Sequence, residues 1–168
     1  MEIVFYDLET SMPEGKEQSR EILEFGAVVL SAKGLVEVDS YTTPVRPSVM
    51  NSRNAAGTSS GALRLLIESM SYCTQAGRIW AGHNICEFDN VRIEEAFASI
   101  GRPMPEAAGF IDTLPLLQRT FGQRAGNLKL STLAAYFSLG KQEHRSLPDV
   151  RMNIKVLKRC ATVLLLVF

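Results

Sequence analysis

The sequence contains little cysteine, and this shortage excludes two kinds of site. Its 168 residues include only Cys73, Cys86 and Cys160, which are widely spaced and form no Cys-x-x-Cys pair. An odd and scattered set of cysteines argues against a disulfide framework and against a cysteine-ligated zinc site. The same usage favours a reducing compartment.

Long apolar runs are also missing. The run "ATVLLLVF" at the carboxyl end is far shorter than the roughly 20 residues that cross a bilayer. No signal peptide is visible, because Asp7 and Glu9 interrupt the first apolar stretch. We therefore expect a cytoplasmic or nuclear protein without a membrane partner.

The formal net charge is zero, although the charged residues are unevenly distributed along the chain. Eighteen Lys and Arg residues balance 18 Asp and Glu residues. Residues 1–30 hold seven acids and two bases, whereas residues 116–168 hold two acids and nine bases. This asymmetry fits a metal-bearing pocket beside a phosphate-binding flank, and it fits a solvated helix face equally well.

Hydrophobic patterning predicts three strands followed by alternating helices and strands. Ile3–Tyr6 is apolar on both faces, which is typical of a central strand. Residues 22–30 and 35–45 are expected to return as an antiparallel meander. A loop over 44–61 precedes the remaining predicted elements: a helix at 62–73, a strand at 78–82, a helix at 87–100, a short strand at 109–113, and helices at 114–122, 132–140 and after 146. This order predicts a single α/β domain over residues 1–168 with a mixed sheet.

The first candidate for chemistry is the pair of acids in "DLET". Residues two apart in a strand face the same side, so Asp7 and Glu9 project together near the carboxyl end of a central strand. In open α/β sheets, ligands bind at that end. Two adjacent carboxylates repel each other unless a cation lies between them, and Mg²⁺ or Mn²⁺ suits oxygen-only ligands. A strand end frayed into solvent is the alternative.

Both histidines of the chain precede an aspartate at short range. "HNICEFD" contains His83 and Asp89, and "HRSLPD" contains His144 and Asp149. Each predicted helix that follows would carry its aspartate in the first turn, where the helix dipole favours an acid.

Structural explanations remain open for these residues. Ser146 and Asp149 fit an S-x-x-D capping box, and Asn84 could cap the helix that carries Asp89. His83 could be a core histidine bonded to backbone. Asp112 in "FIDT" is interpreted as a helix cap.

The motifs "DLET", "HNxxxFD" and "HxxxxD", in this order, resemble the three exonuclease motifs of the DEDD superfamily, histidine-containing subgroup. This is the family of polymerase proofreading domains, and its fold is similar to ribonuclease H. Longer stretches, among them "ILEFGAVVL" and "RAGNLKLSTLAAYFSLG", resemble the plant exonucleases linked to sieve-element enucleation, the NEN group. The resemblance implies a ribonuclease H-like fold with a mixed sheet and a metal-dependent 3′–5′ exonuclease.

The resemblance also implies roles for individual residues. Asp7, Glu9, Asp89 and Asp149 would hold two Mg²⁺ or Mn²⁺ ions, with Asp7 bridging both. His144 would be the general base that deprotonates the attacking water. The partner would be a nucleic acid with a single-stranded 3′ end, either DNA or RNA.

Four further residues resemble those that meet the terminal nucleotide in relatives. They are Leu8 and Thr10, which flank Glu9, and Asn84 and Phe88, which precede Asp89. Leu8 and Phe88 could equally be core residues.

One region departs from the family pattern. Residues 44–75 are shorter than in relatives, and "AGTSSG" replaces a turn that helps to hold the substrate strand. The chain is also expected to lack a C-terminal extension. The alternative function is therefore a catalytically weak nucleic-acid or protein interaction module that retains the exonuclease fold. A small-nucleotide phosphodiesterase on the same scaffold is a third possibility.

Overall fold

A five-stranded mixed sheet and five helices make up the part of the chain that the computed structural model describes, which is residues 2–12, 20–45, 60–74 and 77–165. The strands are β1 (Glu2–Thr10), β2 (Ile22–Ser31), β3 (Val36–Pro44), β4 (Ile79–Gly82) and β5 (Phe110–Asp112). The helices are α1 (Ser60–Thr74), α2 (Asp89–Ala98), α3 (Thr113–Thr120), α4 (Leu130–Tyr136) and α5 (Ser146–Leu165). None of the helices within these ranges is long and apolar enough to cross a membrane.

The sheet has the order β3-β2-β1-β4-β5, with β1 at its centre. Strands β1, β2 and β3 form an antiparallel meander, whereas β4 and β5 run parallel to β1. The predicted α/β class, the meander and the mixed sheet are confirmed. Of the predicted 44–61 loop, residues 46–59 lie outside the described residues, and α1 begins at Ser60 instead of residue 62.

Alternate residues of β1 enter two different hydrophobic cores. One face packs against α1 and α2 and contributes Val4, Tyr6 and Leu8. The opposite face contributes Ile3 and Phe5 to a core that α5 completes with two buried side chains, Val150 and Ile154. By the period of two, Asp7 and Glu9 continue the face that α5 covers.

The two neighbours of β1 end at different points. Its pairing with β4 runs from Ile3 to Phe5, while its pairing with β2 continues through Asp7 and Glu9. The carboxyl end of β1, the end at which ligands bind in open α/β sheets, therefore extends beyond β4.

Strand β2 brings α5 to this end of β1 through Gly26, which lies opposite Asp7. A Cβ atom at Gly26 would stand 2.5 Å from the backbone nitrogen of Leu147 and 2.7 Å from the Ser146 Oγ atom. Only glycine permits so close an approach of two backbones. The first turn of α5 therefore sits directly against the strand beside Asp7.

Candidate active site

Three carboxylates converge where β1 extends beyond β4. Asp7 and Glu9 come from β1, and Asp149 comes from the first turn of α5. One oxygen of each carboxylate lies within 4.8 Å of the other two. Asp149 is 2% exposed, and Asp7 and Glu9 are half-buried. The frayed-strand alternative for "DLET" does not hold, because both acids lie within the paired part of β1.

The electrostatics of this cluster favour a positively charged ligand. Burial, followed by repulsion from Asp89, Glu9 and Asp149, raises the pKa of Asp7 well above its usual range. Burial and then Asp149 also raise the pKa of Glu9. Oxygen-only donors that repel one another are the ligand set that Mg²⁺ and Mn²⁺ take, so these residues fit such an ion.

Asp89, the fourth predicted ligand, approaches the cluster from α2. Its side chain is 2% exposed, and its Oδ1 atom accepts a hydrogen bond of 3.0 Å from the backbone nitrogen of Leu8. Burial raises the pKa of Asp89 to about 7, although the bond from Leu8 opposes the rise. Asp89 therefore lies beside Asp7 without being one of the three carboxylates whose oxygens lie within 4.8 Å.

His144 lies on the loop that leads into α5. The loop is attached to Asp149, whose Oδ2 accepts from Gln142 Nε2 at 2.7 Å and whose Oδ1 accepts from the Glu143 backbone nitrogen at 3.3 Å. His144 is exposed, with a positive φ of 54°. Its positive charge, when it is protonated, opposes the rise in the pKa of Glu9 that burial and Asp149 cause. The structure thus brings His144 to the acidic cluster.

The second histidine has a structural environment. His83 Nε2 lies 3.0 Å from the carbonyl oxygen of Leu128, and Nδ1 lies 2.9 Å from Thr113 Oγ1. Thr113 in turn bonds to the buried Asn153 of α5 at 3.1 Å. Burial lowers the pKa of His83. The core-histidine interpretation of His83 agrees with these contacts.

The carboxylate of Asp112 accepts hydrogen bonds both from the first turn of α3 and from the loop between β4 and α2. It accepts from the backbone nitrogen of Leu114 at 3.0 Å, which confirms its interpretation as a cap of α3. It also accepts from the backbone nitrogens of Asn84 at 2.8 Å and Cys86 at 3.0 Å. Asn84 does not cap α2, because Phe88 occupies the N-cap position and Asn84 has a φ of 65°.

The four predicted substrate residues lie in different environments. Leu8 is buried in the core that faces α1 and α2. Thr10, Asn84 and Phe88 are half-buried. The guanidinium of Arg20 lies 5.7 Å above the Phe88 ring, which is cation–π distance.

Sequence reasoning missed two polar residues at the site. Gln142 bonds directly to Asp149, and Glu24 of β2 lies opposite Glu9 in the β1–β2 pairing. Glu24 could have been found from its position in β2. It lies two residues before Gly26 and therefore on the same face of the strand, which is the face that α5 covers. No local pattern indicates Gln142, whose contact depends on the path of the loop.

Comparison with solved structures places this fold among nucleases. The E. coli exonuclease I complex with a dA16 oligonucleotide aligns with a TM-score of 0.71 at 15% identity, covering 97% of this chain and 42% of that chain. The nuclease domain of 3′hExo, a DEDDh family member bound to rAMP, aligns with a TM-score of 0.66 at 16% identity, covering 96% of this chain and 92% of that chain. At these identities the likeness shows a shared ribonuclease H-like exonuclease fold.

Comparison with curated sequences identifies plant relatives. Arabidopsis thaliana Protein NEN4 is 51% identical over 176 residues, which cover 98% of this chain and 69% of NEN4. Protein NEN2 from the same plant is 50% identical over 175 residues, covering 98% of this chain but 36% of NEN2. Residues 4–157 match the family described as Exonuclease (RNase_T). With that match and these identities over nearly its whole length, the chain belongs to the exonuclease family.

Proposed function

We propose that this chain is a metal-dependent exonuclease that hydrolyses phosphodiester bonds of nucleic acid from the 3′ end. The observation that carries the proposal is that the carboxylate oxygens of Asp7, Glu9 and Asp149 lie within 4.8 Å of one another. The loop that contains His144 is hydrogen-bonded to one of these carboxylates, Asp149. Membership of the exonuclease family and the likeness to 3′-exonucleases support a nuclease hydrolase.

In the proposed reaction, Asp7, Glu9, Asp89 and Asp149 would hold two Mg²⁺ or Mn²⁺ ions. When bound, such ions neutralise charge on the phosphoryl and leaving oxygens and lower the pKa of the attacking water. His144, a histidine exposed on its loop, accepts the proton of that water at a ring nitrogen. The water oxygen bonds to phosphorus, and the bond from phosphorus to the 3′ oxygen of the preceding nucleotide breaks. The 3′ oxygen takes a proton from solvent, and a nucleoside 5′-monophosphate is released.

The proposed substrate is a single-stranded 3′ end of DNA or RNA. Thr10 directly follows Glu9 on β1, Asn84 and Phe88 lie on the loop before α2, and the backbone nitrogen of Leu8 donates a hydrogen bond to Asp89. An aromatic ring such as that of Phe88 can stack on any of the bases, because every base presents a π-face.

Cleavage of 5′-labelled oligonucleotides tests the proposal directly. Single-stranded DNA and RNA of the same sequence would be incubated with the protein in Mg²⁺, Mn²⁺ or EDTA. We expect a ladder that shortens from the 3′ end with either metal and no products in EDTA. A folded protein that leaves both oligonucleotides intact in every lane would overturn the proposal and favour the interaction module.

We expect the metal-free protein to lose thermal stability as the pH rises. Burial raises the pKa of Asp89 to about 7 and the pKa of Asp7 well above its usual range. A carboxyl with a raised folded-state pKa stabilises the fold fully below its unfolded pKa, and the contribution is lost as pH rises through the folded value. In EDTA, the melting temperature should therefore fall by several degrees between about pH 5 and about pH 8.

Mn²⁺ should reverse this trend, because it binds the ionised carboxylates and only the native state assembles them. The Mn²⁺-induced rise in melting temperature should accordingly increase over the same pH interval. A rise that is absent, or that is equally large at both ends of the interval, would contradict a buried four-carboxylate site.

A further inference from the structure

We propose that Glu24 is a positioning residue that fixes the His144 loop by binding Arg145 and Ser146. The inference rests on the proposed function, in which His144 takes a proton from water. It concerns a fifth acid at the site, contributed by β2, to which neither the motifs nor the metal set gives a role.

Both oxygens of Glu24 bind residues that follow His144, and Oε1 also accepts a longer hydrogen bond of 3.5 Å from Thr42 Oγ1 of β3. Oε2 forms an ion pair with Arg145 Nε at 2.8 Å, and Oε1 accepts from the Ser146 hydroxyl at 2.9 Å. The Glu24 side chain is 14% exposed, and Ser146 is fully buried. Arg145 itself is 66% exposed, so solvent weakens the ion pair, and the charge-assisted hydrogen bond from the buried Ser146 hydroxyl is the stronger of the two attachments.

These bonds complete a two-point attachment of the loop. On its amino side, Gln142 and the Glu143 backbone bind Asp149. On its carboxyl side, Arg145 and Ser146 bind Glu24. His144 is the one residue between the two attachments, and its φ of 54° is a conformation that surrounding contacts must maintain.

The same geometry argues that Glu24 is not a further metal ligand. Glu24 is not among the three carboxylates whose oxygens lie within 4.8 Å of one another. The guanidinium of Arg145 offsets its charge, and Ser146 occupies its other oxygen. A fifth acid can therefore stand opposite Glu9 without serving as a ligand.

The test compares Glu24→Ala with Glu37→Ala. Glu37 is a matched control, because it lies on β3 and forms a 2.7 Å ion pair with Arg151 of α5, away from the His144 loop. Positioning errors of this kind lower turnover by roughly 10- to 100-fold. For Glu24→Ala we expect that loss in kcat, with KM and the Mn²⁺ concentration for half-maximal activity within about twofold of the wild type.

A second readout does not depend on activity. The backbone ¹H–¹⁵N heteronuclear NOE of residues 143–145 should fall in Glu24→Ala and stay unchanged in Glu37→Ala, since it reports loop order directly. Arg145→Ala removes an exposed side chain, so it should fold even if Glu24→Ala does not, and it should reproduce part of both effects.

Two results would overturn the inference. A kcat for Glu24→Ala that recovers at high Mn²⁺ concentration would make Glu24 a metal ligand instead. Unchanged heteronuclear NOE values in both Glu24→Ala and Arg145→Ala would show that the loop does not need the anchor. If the wild-type protein cleaves nothing, the proposed function fails, and the NOE comparison alone still decides whether Glu24 orders the loop.

Discussion

Replacing Asp7 with asparagine is expected to abolish nuclease activity while making the metal-free protein more stable. Asp7 is the centre of the cluster, since its pKa is raised by burial and by three neighbouring predicted ligands, Asp89, Glu9 and Asp149. The charge stabilisation supplied by bound metal is worth several kcal/mol, so its loss should lower turnover by at least about 10³-fold.

The gain in stability has the same electrostatic origin. Asparagine keeps the size of Asp7 but removes a group that must either ionise among like charges or hold a proton at neutral pH. In EDTA near neutral pH, we expect a melting temperature a few degrees above that of the wild type. In Mn²⁺, the order should reverse, because only the wild type gains the metal's stabilisation.

Asp39→Asn is the matched control, because it makes the same chemical change at an exposed position on β3. It should alter neither turnover nor the Mn²⁺-induced shift. Asp7→Asn protein that still trims oligonucleotides at the wild-type rate, or that melts at a lower temperature than the wild type in EDTA, would contradict the role given to Asp7.

Replacing His144 with alanine should slow the reaction without weakening metal binding. Loss of a general base typically costs roughly 10²- to 10⁴-fold in turnover. The carboxylates keep their positions, because the loop bonds to Asp149 come from the Gln142 side chain and the Glu143 backbone. We therefore expect KM and the Mn²⁺-induced rise in melting temperature to match those of the wild type.

The exposure of His144 allows a chemical rescue. Imidazole added to His144→Ala should restore part of the lost rate, since a small base can occupy the vacated space. Glu143→Ala is the control: it keeps the backbone bond to Asp149 and should change the rate little. A Mn²⁺-induced shift that disappears in His144→Ala would assign the histidine to metal binding instead of proton transfer.

Local periodicity was sufficient to predict the α/β class, the central strand and the shared side of two acids, whereas the ribonuclease H-like fold was inferred from the resemblance of the motifs. Ile3–Tyr6 reads as a buried strand, and it is the central strand of the sheet. The period of two then places Asp7 and Glu9 on one side, as the structure has them. Both conclusions depend only on neighbours in the chain, which is the range over which patterns are informative.

The parts that the sequence could not predict involve contacts between distant segments. Asn84 resembles a helix cap, yet its backbone nitrogen binds Asp112, which lies 28 residues further along the chain. Glu24 reads as one polar residue of a strand, but its partners are 121 and 122 residues away. Interactions of this range are set by how the sheet and α5 pack, and no window of sequence contains both partners.

The origin of the four acids in separate segments has a consequence for synthesis of the protein. Asp7 and Glu9 are made first, Asp89 follows with α2, and Asp149 arrives only with α5. A nascent chain that ends before α5 therefore lacks one of the four proposed metal ligands, however well its sheet has formed. Under the proposed function, a ribosome-bound chain cannot cut the RNA around it until α5 has been translated and has docked beside Gly26.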